Sequence, residues 1–295
     1  MFTANILGQN KGVGLSIGVN KLDPAHYSGW AGTLEACEQD AKDMAALITK
    51  AGYSTKLLLN DGAKRDPVVA IIRKAANELV AGDMFVLYFS GHGSQTADGN
   101  GDEDDRLDET WCLHDGQLVD DELYHLWRAF KKGVRILVFS DSCHSGTMIK
   151  VDDFKALTRD RRSSLEDAFS FLSGAKALPP SKAVETFMRH TNFYDTIQRE
   201  TPKEGSPGIQ ATVQLISACK DSEEASDGNP NSAFTASVKR VWRDGEFSGD
   251  YREFTEQVRS VAKRTNPRQT AERLVLDVPN SPYESQKPFT IKAPK

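Results

Sequence analysis

Apolar and polar positions follow a recurring order along this chain: a short apolar run, a polar loop, then apolar residues at helical spacing. Val13 to Val19 predicts a first strand. Across Leu34 to Ala51, the residues Leu34, Cys37, Ala41, Met44 and Ile48 recur at the steps of a helix with one buried face. Thr55 to Leu59 predicts a short strand, and Asp66-Pro67 offers an N-cap and an N1 proline to a helix running through Leu79. Met84 to Phe89 and Val134 to Phe139 are short apolar runs, expected for central strands of a sheet covered on both faces. Asp120 to Phe130 predicts a helix between them. Thr212 to Ile216 predicts a further strand, followed by helices near Phe234 to Trp242 and Tyr251 to Ala262. Leu274 to Val278 and Phe289 to Ile291 are expected as edge strands. This alternation predicts an α/β fold with a mostly parallel central sheet and helices on both faces.

One stretch breaks the rhythm. Residues 151–208 contain no strand pattern but two helical ones. Ser163-Ser164-Leu165-Glu166 reads as a capping box, and Val184, Phe187, Met188 and Ile197 fit a second helix beyond Pro179-Pro180. A segment of roughly 55 residues is near the lower limit for a self-sufficient core. The expectation is therefore a single domain over 1–295 with a mainly helical insertion at about 151–208.

Composition narrows the function classes. Apolar residues make up 39% and charged residues 27% of the chain, enough to build a sizeable core. The net charge is -5 with acids and bases interspersed, which argues against the basic stripe of a nucleic-acid binder. No apolar run approaches the roughly 20 residues that span a bilayer, and Met1 to Gly14 lacks the features of a secretory signal. Cys37, Cys112, Cys143 and Cys219 show no paired spacing, so neither a disulfide framework nor a zinc site is signalled. A cytoplasmic monomer with no nucleic-acid or membrane partner is expected.

Two motifs follow the two most apolar strands: Ser90-Gly91-His92-Gly93-Ser94-Gln95 and Asp141-Ser142-Cys143-His144-Ser145-Gly146. In an open α/β sheet, ligands bind beyond the carboxyl ends of the strands, so both motifs should face one crevice. A histidine and a cysteine meeting there suffice for thiol acyl transfer, with Cys143 as nucleophile and His92 as base. The amides of Gly93 and Cys143 are the candidate oxyanion donors. A lone cysteine beside a strand is more often packing, but small and polar residues surround both positions. His144 is the rival base; adjacency to Cys143 points its side chain away from the thiol.

The paired motifs, 51 residues apart from His92 to Cys143, resemble those of the metacaspases, the Arg/Lys-directed relatives of caspases. The likeness extends to Cys37-Glu38-Gln39-Asp40, the acidic Asp104 to Glu109 loop, Asp120-Asp121 and Ser217-Ala218-Cys219-Lys220-Asp221. The 151–208 stretch departs from a short-linker member. The resemblance implies a caspase-like fold, cysteine endopeptidase activity after Arg or Lys, and a P1 pocket lined by Cys37, Asp40, Ser90 and Asp141. Geometry supports such a pocket, because Asp40 lies on the buried stripe of its helix, where a carboxylate is costly unless paired. The alternative is that Asp40 pairs with a buried lysine or arginine of this protein while Asp141 caps the next turn.

Calcium enters the same way. Asp98 to Asp104 looks like part of a calcium loop, but Glu103 stands where an EF-hand needs glycine. The resemblance implies a different set, Asp108, Asp120 and Asp121, plus an aspartate seven residues after the nucleophile. Lys150 occupies that last place, with Asp152 and Asp153 just beyond. Solvated acids and an Asp120 helix cap account for the same residues without a metal.

The remaining histidines, His26, His114, His125 and His190, lack metal-ligand spacing, and Trp111, Trp127, Trp242, Cys112 and Cys219 read as packing residues. Competing functions are a clostripain-like or legumain-like peptidase or transpeptidase, and an inert caspase-like scaffold or calcium sensor. The insertion follows the nucleophile in sequence, so it is expected to cover part of the crevice and to be cut there. Its basic candidates are Lys150, Arg159, Arg161, Arg162, Lys176 and Arg189, with the 159–162 run favoured.

Overall fold

The apolar runs become the middle of a six-stranded sheet. The structure is a computed structural model that describes residues 10–97, 107–143, 175–200, 208–220, 223, 225–276 and 282–292. Strands β1 (Gly12–Gly18), β2 (Ser54–Leu59), β3 (Met84–Ser90), β7 (Arg135–Asp141), β8 (Thr212–Ser217) and β9 (Glu272–Leu276) lie in the order β2-β1-β3-β7-β8-β9. Neighbours are parallel except for β9, which pairs antiparallel with β8 at the edge. This is the α/β architecture with a mostly parallel central sheet that the strand–helix alternation implied.

Side chains alternate across the sheet and feed two apolar layers. Phe85, Leu87 and Phe89 of β3 join Ile136 and Val138 of β7 under helices α2 (Arg65–Glu78) and α3 (Asp120–Arg128). Met84, Val86 and Tyr88 join Leu137 and Phe139 on the other face, under α1 (Cys37–Lys50), α6 (Ala233–Trp242) and α7 (Tyr251–Thr265). Ser90 and Asp141 continue the second series, so they emerge on the α1 and α6 side. Two turns of helix in sequence separate Asp40 from Ile48 on the same buried stripe of α1. The fold thus aims Asp40, Ser90 and Asp141 at one point.

A second sheet, β4 (Gly93–Ala97), β5 (Leu107–Leu113) and β6 (Gly116–Val119), is antiparallel and starts at the first motif. Its residues alternate with glycine and polar positions, which hid it from the apolar pattern. Among the described part of the insertion, α4 (Pro180–Arg189) and α5 (Thr191–Glu200) replace the single helix expected over Val184 to Ile197. The chain leaves helical geometry at His190 (φ -118°, ψ 22°). Ser163 to Glu166 lies outside the described residues.

Two further expectations are corrected. Asp66 is not the N-cap of α2: the helix begins at Arg65, whose amide is received by Asp115 Oδ1 at 2.9 Å, so a carboxylate distant in sequence does the capping. Phe289 to Ile291 is not a strand. Phe289 has φ 59° and buries its ring against Phe139, with centroids 5.6 Å apart. Its hydrophobicity serves a turn plugged into the second layer.

Candidate active site

Strand register brings the two motifs together. Ser90 of β3 is the direct partner of Asp141 of β7, so the chain beyond each strand leaves the sheet at one level. Two residues on stand His92 and Cys143, both buried. Gly93 lies so close to Cys143 that a methyl group on it would sit 1.7 Å from the Cys143 carbonyl oxygen. Only glycine allows that approach.

The His92 ring is held by backbone and by an aromatic plane. Nε2 lies 3.0 Å from the Gly32 carbonyl, and the Trp30 ring centroid is 4.7 Å away. A carbonyl only accepts, so Nε2 carries the proton and Nδ1 keeps the basic lone pair. Nδ1 has no hydrogen-bond partner among the described residues. Burial pulls the imidazole down to about 4, so it is neutral at pH 7. The Cys143 sulfur receives the Ala225 amide at 2.9 Å and lies 3.4 Å from the Ala225 carbonyl. No hydrogen bond joins the thiol to His92 here.

The cleft is filled by the chain itself. The Lys176 carbonyl accepts from the Gly93 amide at 2.8 Å and from the Cys143 amide at 3.2 Å. The Lys176 amide donates to the Ala225 carbonyl at 3.0 Å. Its ammonium lies 2.9 Å from Asp141 Oδ2, 2.8 Å from Ser90 Oγ and 3.3 Å from Asp40 Oδ2, with no exposed surface. Of the two alternatives open from the sequence, the structure shows Asp40 paired with a buried lysine of this protein, and Asp141 shares that partner.

The carboxylates are anchored from α6. Ser232, the N-cap of that helix, donates from Oγ to Asp141 Oδ2 at 2.5 Å and from its amide to Asp40 Oδ1 at 3.0 Å. Thr235 Oγ1 reaches Asp141 Oδ2 at 3.1 Å, and Asn231 Nδ2 reaches Asp40 Oδ1 at 2.9 Å. Asp141 Oδ1 is buried without a hydrogen-bond partner among the described residues. Burial raises the Asp40 carboxyl to about 6, opposed by Lys176 and reinforced by Asp141. Burial would lower the Lys176 ammonium, but Asp141, Cys37 and Asp40 hold it well above its ordinary value. Burial also pushes the Cys37 thiol up to about 12.

Lys176, Gly32, Ala225, Asn231, Ser232 and Thr235 form much of this site. Sequence reasoning counted Lys176 only among six cleavage candidates. Gly32 and Ala225 act through backbone atoms, which leave no side-chain signature. Ser232 was not singled out in the sequence; a serine just before the Phe234 helix is an N-cap signal that could have marked it, but not its contacts with Asp40 and Asp141.

The acidic set does not assemble with comparable order. Asp108 is buried and receives Gln198 Nε2 from α5. Asp120 accepts the amides of Asp121 at 2.8 Å and Glu109 at 3.2 Å. Burial, with Glu109 and Asp121 nearby, drives its carboxyl well above the ordinary range. Among the described residues no three acidic, histidine or cysteine side chains stand grouped as metal ligands. Asp108, Asp120 and Asp121 alone are not grouped to hold a calcium ion. His144, Lys150, Asp152 and Asp153 lie outside the described residues.

Comparison with known proteins accords with this geometry. Residues 14–152 match the model of the metacaspase, peptidase C14 domain. Metacaspase-1 of Kluyveromyces lactis is 29% identical over 251 aligned positions, covering 76% of this chain and 56% of the relative. Metacaspase-3 of Arabidopsis thaliana is 36% identical over 157 positions, covering 48% of this chain and 43% of the relative. The chain spans about half the length of the curated relatives it matches. A crystal structure of a protein from Geobacter sulfurreducens superimposes with a TM-score of 0.82 at 42% identity, covering 96% of this chain and 100% of that one. Caspase-1 from Spodoptera frugiperda shares the fold alone, with a TM-score of 0.51 at 10% identity over 92% of this chain and 88% of its own. With its His and Cys motifs at paired strand ends of a caspase-like sheet, the chain belongs to the metacaspase family.

Proposed function

We propose that the protein is a cysteine endopeptidase that hydrolyses peptide bonds after arginine or lysine. The observation that carries this reading is Lys176, held by its ammonium, its amide and its carbonyl as a P1 residue would be. His92 Nδ1 takes the thiol proton, and the Cys143 thiolate attacks the carbonyl carbon of the P1 residue. Charge developing on the oxygen falls between the Gly93 and Cys143 amides, which already lie 2.8 and 3.2 Å from a carbonyl. As the C–N bond breaks, His92 returns the proton to the departing amine. Water then cleaves the thioester, restoring the thiol and releasing the new carboxylate. Asp40, Asp141, Ser90 and the wall at Cys37 select a cation. The idle Asp141 Oδ1 leaves an acceptor for the second nitrogen of a forked arginine.

A panel of fluorogenic peptides differing only at P1 tests the proposal, run with and without calcium on wild-type protein and on Cys143→Ala. Hydrolysis after Arg and Lys, absent in the variant, is expected. Appreciable cleavage after Asp, or turnover by Cys143→Ala above a tenth of wild type, refutes it.

A further inference from the structure

The contacts of the bound segment do not stop at Lys176. Ala175 forms an antiparallel bridge with Ser226, and Ala177 forms a parallel bridge with Gly93. Beyond the bond that would be cut, the Leu178 amide donates to the Gly93 carbonyl at 2.8 Å. Gly93 therefore grips the segment twice, by its N–H on one side of that bond and by its C=O on the other. At Pro179-Pro180 the extended track ends and α4 begins. Four residues are held.

The side chains of these four differ in a patterned way. Ala175 and Leu178 are each 5% exposed, and Ala177 is only partly buried. Leu178 belongs to the apolar layer under α2 and α3, whereas Cys143, Ala225 and the adjoining Ala177 belong with the opposite layer. The track thus crosses from one side of the sheet ends to the other, and the leucine enters a separate apolar seat. Burying a leucine side chain there is worth far more than burying alanine, while an acid would be desolvated without a partner.

We infer that this peptidase reads its substrates on both sides of the scissile bond, requiring an apolar residue of leucine type at P2′ as well as the basic P1, with small residues at P2 and P1′. The inference rests on the proposed peptidase function and adds its selectivity. An incoming peptide takes the place of residues 175–178, so its P2′ side chain enters the seat that Leu178 leaves.

Internally quenched peptides of the form Ala-Arg-Ala-X, with X as Leu, Ala or Asp, provide the test. They are assayed with the full wild-type chain and with Lys176→Ala, whose tethered segment has lost its ion pair. The expected order in kcat/KM is Leu above Ala by about tenfold or more and Asp lowest, as differential filling of an apolar pocket gives. Leu178→Ala in the Lys176→Ala chain should lower KM for the Leu peptide, because a weaker tethered rival is displaced. Rates within threefold across the three peptides overturn the P2′ inference while leaving Arg-directed hydrolysis intact. Failure to cut any of them with either chain overturns both.

Discussion

Removing the Lys176 ammonium should unbalance the pocket in a way that pH and small amines reveal. Consider Lys176→Met in a Cys143→Ala background, where no bond is cut. Methionine keeps an unbranched apolar stem, so the main loss is a charge held at 2.8, 2.9 and 3.3 Å by Ser90, Asp141 and Asp40. Two buried carboxylates are then left facing each other. Breaking a buried pair by deleting one partner costs about 3–5 kcal/mol. At about 2 °C per kcal/mol for a domain of this size, Tm should fall by roughly 6–10 °C at pH 8.

The deficit should also depend on pH. Asp40 already sits near 6, and losing Lys176 removes the largest influence lowering it. A carboxyl whose folded pKa exceeds its unfolded value near 3.9 stabilises when protonated and loses that contribution as pH rises through the folded pKa. The variant should therefore recover toward its Lys176 parent as pH is lowered from 8 to 5. n-Butylamine, a detached lysine side chain, should raise Tm of the variant at pH 8 and leave the parent unchanged. Differential scanning fluorimetry measures all three effects. An unaltered Tm, or a deficit independent of both pH and amine, would refute the view of this site as a cation pocket.

Intact-mass spectrometry of active protein should show a cut after Lys176, giving fragments 1–176 and 177–295, with Cys143→Ala remaining whole; identical full-length masses would rule out processing. Gly93→Ala should lower kcat on Arg peptides by about a hundredfold or more, since its methyl would collide with the Cys143 carbonyl that the oxyanion donors flank; wild-type kinetics would dismiss that crowding. Acidification should destabilise uncut protein between pH 6.5 and 4. His92 and His26 both have folded values near 4, below their unfolded value, so the stability they contribute above 6.5 is lost as pH falls through 4. Asp40 opposes them over part of that range, and a Tm that stays flat or rises would mean the histidines do not dominate.

Much of this was legible because apolar runs and register are local properties. The two central strands announce themselves, and once they are neighbours the motifs after Ser90 and Asp141 must meet. Asp40 was legible for the same reason, as a carboxylate on an otherwise apolar helical stripe. The small antiparallel sheet was not, because Gly93-Ser94-Gln95-Thr96 presents no apolar alternation. Lys176 could not be told from other basic residues of the insertion. Its place depends on how far the chain between Cys143 and the Pro179-Pro180 helix start reaches back, a tertiary distance that no residue type encodes. Gly32 and Ala225 contribute carbonyls and an amide, which every residue has.

The double grip of Gly93 has a consequence for targets. One edge of β4 is already paired with Trp111 of β5, and the other edge accepts a chain only if that chain arrives as a strand. Four extended residues span about 13 Å, whereas four residues of helix rise only about 6 Å. A lysine inside a folded helix therefore cannot present its carbonyl and both flanking amides at once, whatever the sequence around it. Cutting of a folded protein by such a cleft is governed by how often the target segment frays, so its rate follows the local opening equilibrium of the victim. On the proposed reading, the cleft selects for loosely folded segments as well as for a side chain.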